Sequence, residues 1–226
     1  MVIPTLRQIK IGTYLRQEKD KRTYGDIFRS RSATEAGHWM KAVLLPKRDE
    51  TDDNPTARVV RYAGLARQFH DLQGYETAIR DFLKYRSKAK IAEVNYDIAV
   101  HVRQTDFAPP DVGATLQNTQ TPLNWYREAL LVAKQRIATP NPSIMVFTDN
   151  NPLAIIEELG IGKAIEEPTG NALTSMFAMS QAKIIVASRS TFSAWAQYLG
   201  GNHAIWPSGF QLDLYKPIDT DRDMFL

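Results

Sequence analysis

Cysteine is absent from this sequence of 226 residues, which excludes disulfide bridges and thiolate-bound metal sites. The chain also lacks any run of about 18 apolar residues, so no transmembrane helix is expected. Its first residues contain no long apolar core followed by a small-residue cleavage site, so no signal peptide is expected either. These absences together predict a cytoplasmic protein.

Charge is distributed unevenly along the chain. Residues 1–97 contain 19 Lys and Arg against 13 Asp and Glu, a net charge of +6, whereas residues 98–226 contain 9 against 12, a net charge of −3. The basic first half is typical of a solvated surface, or of peripheral contact with an anionic membrane, glycan or nucleic acid. Because no known nucleic-acid module is found, a nucleic-acid partner is not predicted.

Apolar runs and amphipathic stretches alternate after residue 95, which divides the chain into an N-terminal region, 1–95, and a second domain, 96–226. Such alternation is typical of an α/β domain with a parallel sheet and right-handed crossovers. Thr121 and Asn171 are the expected N-caps of two of its helices. The predicted strands are 97–102, 143–147, 163–165, 183–187 and 203–206, and the predicted helices are 121–137, 152–159, 171–180 and 190–199.

The N-terminal region is predicted to be mainly helical. Helical spacing of apolar residues predicts helices over 57–70 and 75–88, and the polar stretch 49–55 predicts a loop. The apolar segment 39–45 fits a strand or a helix. Residues 15–37 are rich in charge, which predicts loose order.

Polar side chains follow three of the predicted strands, at the point where each strand ends. The first strand runs into His101, Arg103 and Asp106. Asp149 follows the second strand, and the hydroxyl-rich segment 188–193 follows the third. In open α/β sheets, ligands bind at the carboxyl ends of the strands. Since Arg and helix N-termini both suit phosphate, the three strand ends predict a site for a nucleoside diphosphate.

Each of these residues also has an ordinary structural interpretation. His101 fits a buried, hydrogen-bonded side chain, and Arg103 fits an ion pair with Asp106 or Asp149. Asp149 and Ser190 also fit the N-caps of the helices that follow them. The convergence of three strand ends on one edge of the sheet favours the functional interpretation.

Several segments resemble a known family. Residues 101–107, His-Val-Arg-Gln-Thr-Asp-Phe, are similar to the His-x-Arg-Arg-x-Asp-[Tyr/Phe] motif of α-1,2- and α-1,6-fucosyltransferases and their protein O-fucosyltransferase relatives. Residues 147–150, Phe-Thr-Asp-Asn, resemble the family's Phe-Ser-Asp-Asp segment. Residues 183–195 resemble its last motif, and residues 204–207 resemble the strand that closes it. The resemblance covers roughly residues 75–210 and is close to the α-1,2-fucosyltransferases.

The resemblance implies a Rossmann-like lobe of a GT-B-type glycosyltransferase. Such an enzyme transfers fucose from GDP-fucose to a glycan hydroxyl with inversion, and needs no metal or other cofactor. By position, Arg103 would be catalytic, because it would bind the diphosphate and stabilise the leaving group. Asp106 would be the catalytic base. The other residues that would bind the donor nucleotide are His101, Asp149, Ser190, Thr191, Phe192 and Ser193.

Three features depart from the family pattern. Gln104 replaces the second Arg of the first motif, while Arg189 and Ala194 replace an Asn and a Trp of the last motif. Arg189 is a candidate to replace the lost cation. The family's Gly-Gly-Leu-Gly-Asn-Gln segment is not found, so the N-terminal, acceptor-side region is predicted to be reduced. These departures leave one alternative open, a non-catalytic nucleotide- or glycan-binding module derived from such an enzyme.

Overall fold

The chain divides into two compact units. The first contains Met1–Ala66 and Arg86–Lys88, and the second contains Arg67–Tyr85 and Ala89–Leu226. The structure is a computed structural model. It describes residues 27–29, 45–49, 56, 59–61, 69–105, 109, 119–165 and 171–226.

Two short strands pair in parallel within the first unit, β1 (Lys47–Asp49) and β2 (Val59–Arg61). The predicted helix over 57–70 is therefore wrong at its start, because the β-branched pair Val59 and Val60 fits a strand better than a helix. Most residues of three other predicted segments lie outside the described residues, namely 15–37, 39–45 and 49–55.

A short 3-10 turn, His70–Leu72, and a longer helix, α1 (Glu76–Arg86), follow in the chain. The helix confirms the prediction over 75–88. Phe69, just before the turn, is buried, and its ring packs against the rings of Trp195 and Tyr198. This aromatic contact explains why residues from Arg67 onward lie in the second unit, although the sequence analysis groups them with the N-terminal region.

A parallel five-stranded sheet forms the centre of the second unit, which confirms the α/β prediction. The predicted strand 163–165 is reduced to a single bridge between Ile165 and Met145. The last strand was not predicted, since its sequence, Asp-Met-Phe, has no apolar run. The strands are β3 (Ile98–Val102), β4 (Ile144–Thr148), β5 (Ile184–Val186), β6 (His203–Trp206) and β7 (Asp223–Phe225).

The four predicted helices of this unit are confirmed as α2 (Leu123–Arg136), α3 (Pro152–Glu158), α4 (Ala172–Met179) and α5 (Thr191–Gly200). Asn171 caps α4 as predicted, because its side chain accepts hydrogen bonds from the backbone N–H groups of Leu173 and Thr174. The predicted cap of α2 is wrong. Pro122 occupies its N-cap position, and the Thr121 hydroxyl makes no capping bond.

Both faces of the sheet are buried, as is usual for parallel strands. The residues of β3 alternate between the faces. Ile98, Val100 and Val102 pack with residues of α2 such as Tyr126. The residue between the last two, His101, points to the opposite face, where it contacts α5. The alternation of β3 therefore decides that His101 is enclosed by the helix that follows β5.

The strand order is β4-β3-β5-β6-β7, so the chain reverses its direction of travel across the sheet at β3. β4 is added on one side of β3, and β5 on the other. In doubly wound sheets, ligands bind in the crevice at this switch point, outside the carboxyl ends of the strands. Here the crevice lies after Val102 of β3 and Val186 of β5, and the next residues of both strands form the candidate site.

Candidate functional site

A buried histidine joins the carboxyl ends of β3 and β5. His101 is only 5 % exposed. Its Nδ1 lies 2.7 Å from the Oγ of Ser193 and 2.9 Å from the Oγ of Ser188. The Ser193 hydroxyl also accepts the backbone N–H of Ser188 at 3.2 Å. These bonds fasten the end of β3 to the loop after β5 and to the first turn of α5.

The imidazole of His101 is neutral at physiological pH. Burial lowers the pKa of His101 to about 3, the positive charge of Arg103 lowers it further, and Asp149 partly opposes both effects. The ring of Phe192 covers the imidazole, with ring centroids 5.2 Å apart. A neutral, enclosed imidazole bonded to two hydroxyls can position these elements, and its predicted contact with a nucleotide stays a prediction.

The same junction brings together the segments that carry Arg103 and Thr191. Arg103 lies two residues after His101, and Thr191 lies two residues before Ser193. Since a strand advances about 3.3 Å per residue and a helix about 1.5 Å, the backbone of each lies within about 7 Å of the hydrogen-bonded pair. The positive charge of Arg103 lowers the pKa of both His101 and Asp149, so its side chain acts on this edge of the sheet.

Asp149 fixes the loop after β3 to the end of β4. One carboxylate oxygen, Oδ1, accepts the backbone N–H of Gln104 at 2.9 Å. Oδ2 accepts the backbone N–H and the hydroxyl of Thr105, at 3.2 and 2.6 Å. Although burial raises it, these bonds together with Arg103 hold the pKa of Asp149 below its usual value. Asn151, not Asp149, caps α3, so the capping interpretation of Asp149 is wrong.

The N-terminus of α5 completes this edge. The Ser190 hydroxyl accepts the backbone N–H of Phe192 at 3.0 Å, which confirms the interpretation of Ser190 as an N-cap. Thr191 is exposed beside it. Aligned peptide dipoles give the beginning of a helix a partial positive charge, so this end of α5 favours a negatively charged group.

Sequence reasoning missed two polar residues at the same edge, Thr121 and Tyr126. The Thr121 Oγ1, the Tyr126 hydroxyl and the Nε of Arg189 are buried, and none has a hydrogen-bond partner of proper geometry in the described part of the chain. Burial raises the pKa of Tyr126 well above its usual value, while Thr121, Arg189 and the backbone of Arg103 partly offset that rise. The periodicity of α2 marks Tyr126 as a core residue, but no sequence signal shows where its hydroxyl lies.

The family model of Glycosyl transferase family 11 matches residues 54–212. The chain belongs to this family. It is therefore a glycosyltransferase of the fucosyltransferase type, which acts on a nucleotide-sugar donor and a glycan acceptor. The match contains β3, β4, β5 and β6 with the whole candidate site. It also begins earlier than the resemblance from about residue 75, inside the N-terminal region. No curated protein gives a significant match.

Membership of glycosyl transferase family 11 confirms that the chain is an enzyme, in place of the non-catalytic alternative. Asp106, the predicted base, lies outside the described residues, and its role stays a prediction. Within the described ranges, no three His, Asp or Glu side chains are grouped as a metal site would need. No described helix is both long and apolar enough to cross a membrane.

Proposed function

We propose that this family 11 enzyme transfers fucose from GDP-fucose to a hydroxyl of a glycan acceptor, with inversion and without a metal ion. The observation that carries the proposal is the junction of His101 with Ser188 and Ser193. Through it, the strand end that bears Arg103 lies against the beginning of α5. A cation and a helix N-terminus at one edge suit the diphosphate of a sugar nucleotide.

The chemistry requires charge stabilisation on the donor side. The acceptor oxygen forms its bond to the anomeric carbon from one face, while the bond to the diphosphate oxygen breaks on the opposite face, which inverts the centre. The electron pair of the broken bond stays with GDP, so its diphosphate gains negative charge in the transition state. A fixed Arg103 and the N-terminus of α5 stabilise that added charge more than they stabilise the bound substrate. Asp106 accepts the proton from the acceptor hydroxyl.

Asp149 retains one acceptor position for the nucleoside. A carboxylate has about four lone-pair sites. Three of those of Asp149 are used by the donors of Gln104 and Thr105, two on Oδ2 and one on Oδ1. The remaining site, on Oδ1, suits a ribose hydroxyl or an amino group of the base.

Calorimetric titration with GDP and UDP, combined with product analysis, tests this proposal. We expect the enzyme to bind GDP more tightly than UDP and to transfer fucose from GDP-fucose, with the opposite anomeric configuration in the product by NMR. Activity should persist after dialysis against EDTA. Tighter binding of UDP, retention of configuration, or a loss of activity on chelation that Mg²⁺ reverses would each contradict the corresponding part of the proposal.

A further inference from the structure

Three buried polar atoms lie at the carboxyl edge of the sheet without hydrogen-bond partners of proper geometry among the described residues. They belong to Thr121, Tyr126 and Arg189. Tyr126 is fully buried and Thr121 is 4 % exposed. Buried polar atoms are almost always paired, because leaving them unpaired costs free energy. Three such atoms at the edge where doubly wound sheets bind ligands indicate a polar ligand as their partner.

The three atoms come from two different connections of the sheet. Thr121 and Tyr126 lie at the beginning of α2, and the neighbouring Gln120 donates to the backbone carbonyl of Gln104 at 2.7 Å, which keeps this segment beside the end of β3. Arg189 follows β5. Its Nη2 donates to the backbone carbonyl of Ser208, beyond β6, at 3.1 Å. The groups therefore meet around the switch point, from the α2 side and from the β5 side.

The charge of Arg189 determines the class of ligand. A guanidinium stays protonated in proteins. In the described part of the chain its only hydrogen-bond partner is a neutral carbonyl, and no carboxylate forms an ion pair with it. Partial burial lowers the pKa of Arg189, because leaving water disfavours the charged form. A half-buried cation with two nearby unpaired hydroxyls favours an anion that accepts several hydrogen bonds, as a phosphate group does.

The end of β3 supplies a single guanidinium, that of Arg103. The next residue, Gln104, is neutral, and its side-chain oxygen accepts the amide of Asn150 at 2.9 Å. A diphosphate esterified at both ends carries two negative charges. A second cation must therefore come from elsewhere if both charges are to be matched, and Arg189 lies on the other side of the same crevice.

We propose that Arg189 is the second cation that binds the donor diphosphate, with the hydroxyls of Tyr126 and Thr121 donating to its oxygens. Arg103 binds the diphosphate from the β3 side and Arg189 from the β5 side. This inference rests on the proposed function, since it assigns the partner of these atoms to the sugar-nucleotide donor.

Replacement of the cation gives the direct test. We expect Arg189→Gln to weaken the binding of GDP and of inorganic pyrophosphate by about tenfold or more in calorimetry, because each loses charge-assisted hydrogen bonds. The binding of guanosine, which has no phosphate, should not change. Arg189→Lys should recover part of the affinity. The matched control is Arg136→Gln, at the exposed end of α2, which should bind all three ligands as the unmodified enzyme does.

Tyr126→Phe separates binding from structure. Because the hydroxyl has no partner of proper geometry in the described residues, its removal should leave the melting temperature unchanged or raise it, yet weaken GDP binding several-fold. Thr121→Val should behave in the same way. A lower melting temperature with unchanged GDP affinity in both variants would show a purely structural role and would overturn the assignment of these hydroxyls.

Failure of this inference differs from failure of the proposed function. If Arg103→Ala abolishes GDP binding while Arg189→Gln binds GDP and pyrophosphate normally, the role of Arg189 is wrong and the donor proposal stands. If the enzyme prefers UDP, the choice of GDP is wrong, and the pyrophosphate titration alone decides the role of Arg189. If the unmodified enzyme binds neither nucleotide nor pyrophosphate, both proposals are wrong.

Discussion

The two ends of the five-stranded sheet treat their polar groups in opposite ways. At the amino end, the carboxylate of Asp97 accepts the backbone N–H and the hydroxyl of Ser143, both at 2.8 Å, and pairs with Lys183 at 2.7 Å. These contacts join the beginnings of β3, β4 and β5. At the carboxyl end, Tyr126 and Arg189 keep buried polar atoms without partners of proper geometry in the described chain.

A second group of residues repeats the pattern of the amino end. The buried carboxylate of Asp223, which begins β7, accepts hydrogen bonds from Gln197 at 2.7 Å and from Trp206 at 3.0 Å. It also forms an ion pair with Lys216 and accepts the backbone N–H of Asp219. The amino end therefore stabilises the fold, whereas the carboxyl end gives up hydrogen bonds that a ligand can later supply.

The largest effect is expected from breaking the Asp223 group. Asp223→Asn leaves the charge of Lys216 buried without its counter-ion, which should destabilise the enzyme by about 3–5 kcal/mol in urea unfolding. The activity of the molecules that remain folded should not change. The exposed Asp213→Asn is the control, and a similar loss of stability there would show that the effect is not specific to the ion pair.

At the opposite end, Arg103→Ala should lower kcat/KM with GDP-fucose by about 100-fold or more, since it removes stabilisation of the leaving diphosphate. The melting temperature should stay close to that of the unmodified enzyme. A large loss of stability with little loss of activity would reverse the comparison between the two ends of the sheet.

Ser193→Ala should give an intermediate result. It removes one of the two hydroxyls that contact the imidazole of His101, so the position of α5 relative to β3 becomes less defined. We expect about a tenfold loss of activity with a loss of stability of about 1 kcal/mol, measured by steady-state kinetics and thermal unfolding. Unchanged kinetics would show that the junction does not position the donor site.

The smallest effect is a pH dependence at the amino end. Lys183 and Ser143 together hold the pKa of Asp97 below its model value of 3.8. The stability that Asp97 contributes is therefore present above about pH 4 and is lost as the pH falls through its lower, folded-state pKa. Because Lys183 is largely exposed, we expect Asp97→Asn to cost only about 1 kcal/mol at pH 7.

In thermal unfolding measured between pH 2 and 7, the stabilities of Asp97→Asn and of the unmodified enzyme should converge as the pH falls. A difference in stability that stays constant over this range would contradict the role given to the Asp97 carboxylate.

Local patterns predicted most elements of the second unit because each follows from neighbouring residues. Apolar runs marked β3 to β6, and Asn171 and Ser190 were recognised as caps from their side chains. β7 was missed because Asp223 and its partners come together only in the folded chain. Thr121 was wrongly predicted as a cap, since a hydroxyl before Pro122 has the composition of an N-cap without its hydrogen bond.

The sequence by itself determined the α/β class, the family, and the polar residues that follow the strands, since all of these depend on residue type and spacing along the chain. Only the tertiary structure decided the strand order, the enclosure of His101 and the position of Tyr126 beside Arg189. The physical reason is that periodicity specifies which face of an element is buried. Which element covers that face, and which polar atoms remain without a partner there, depends on contacts between residues far apart in the chain.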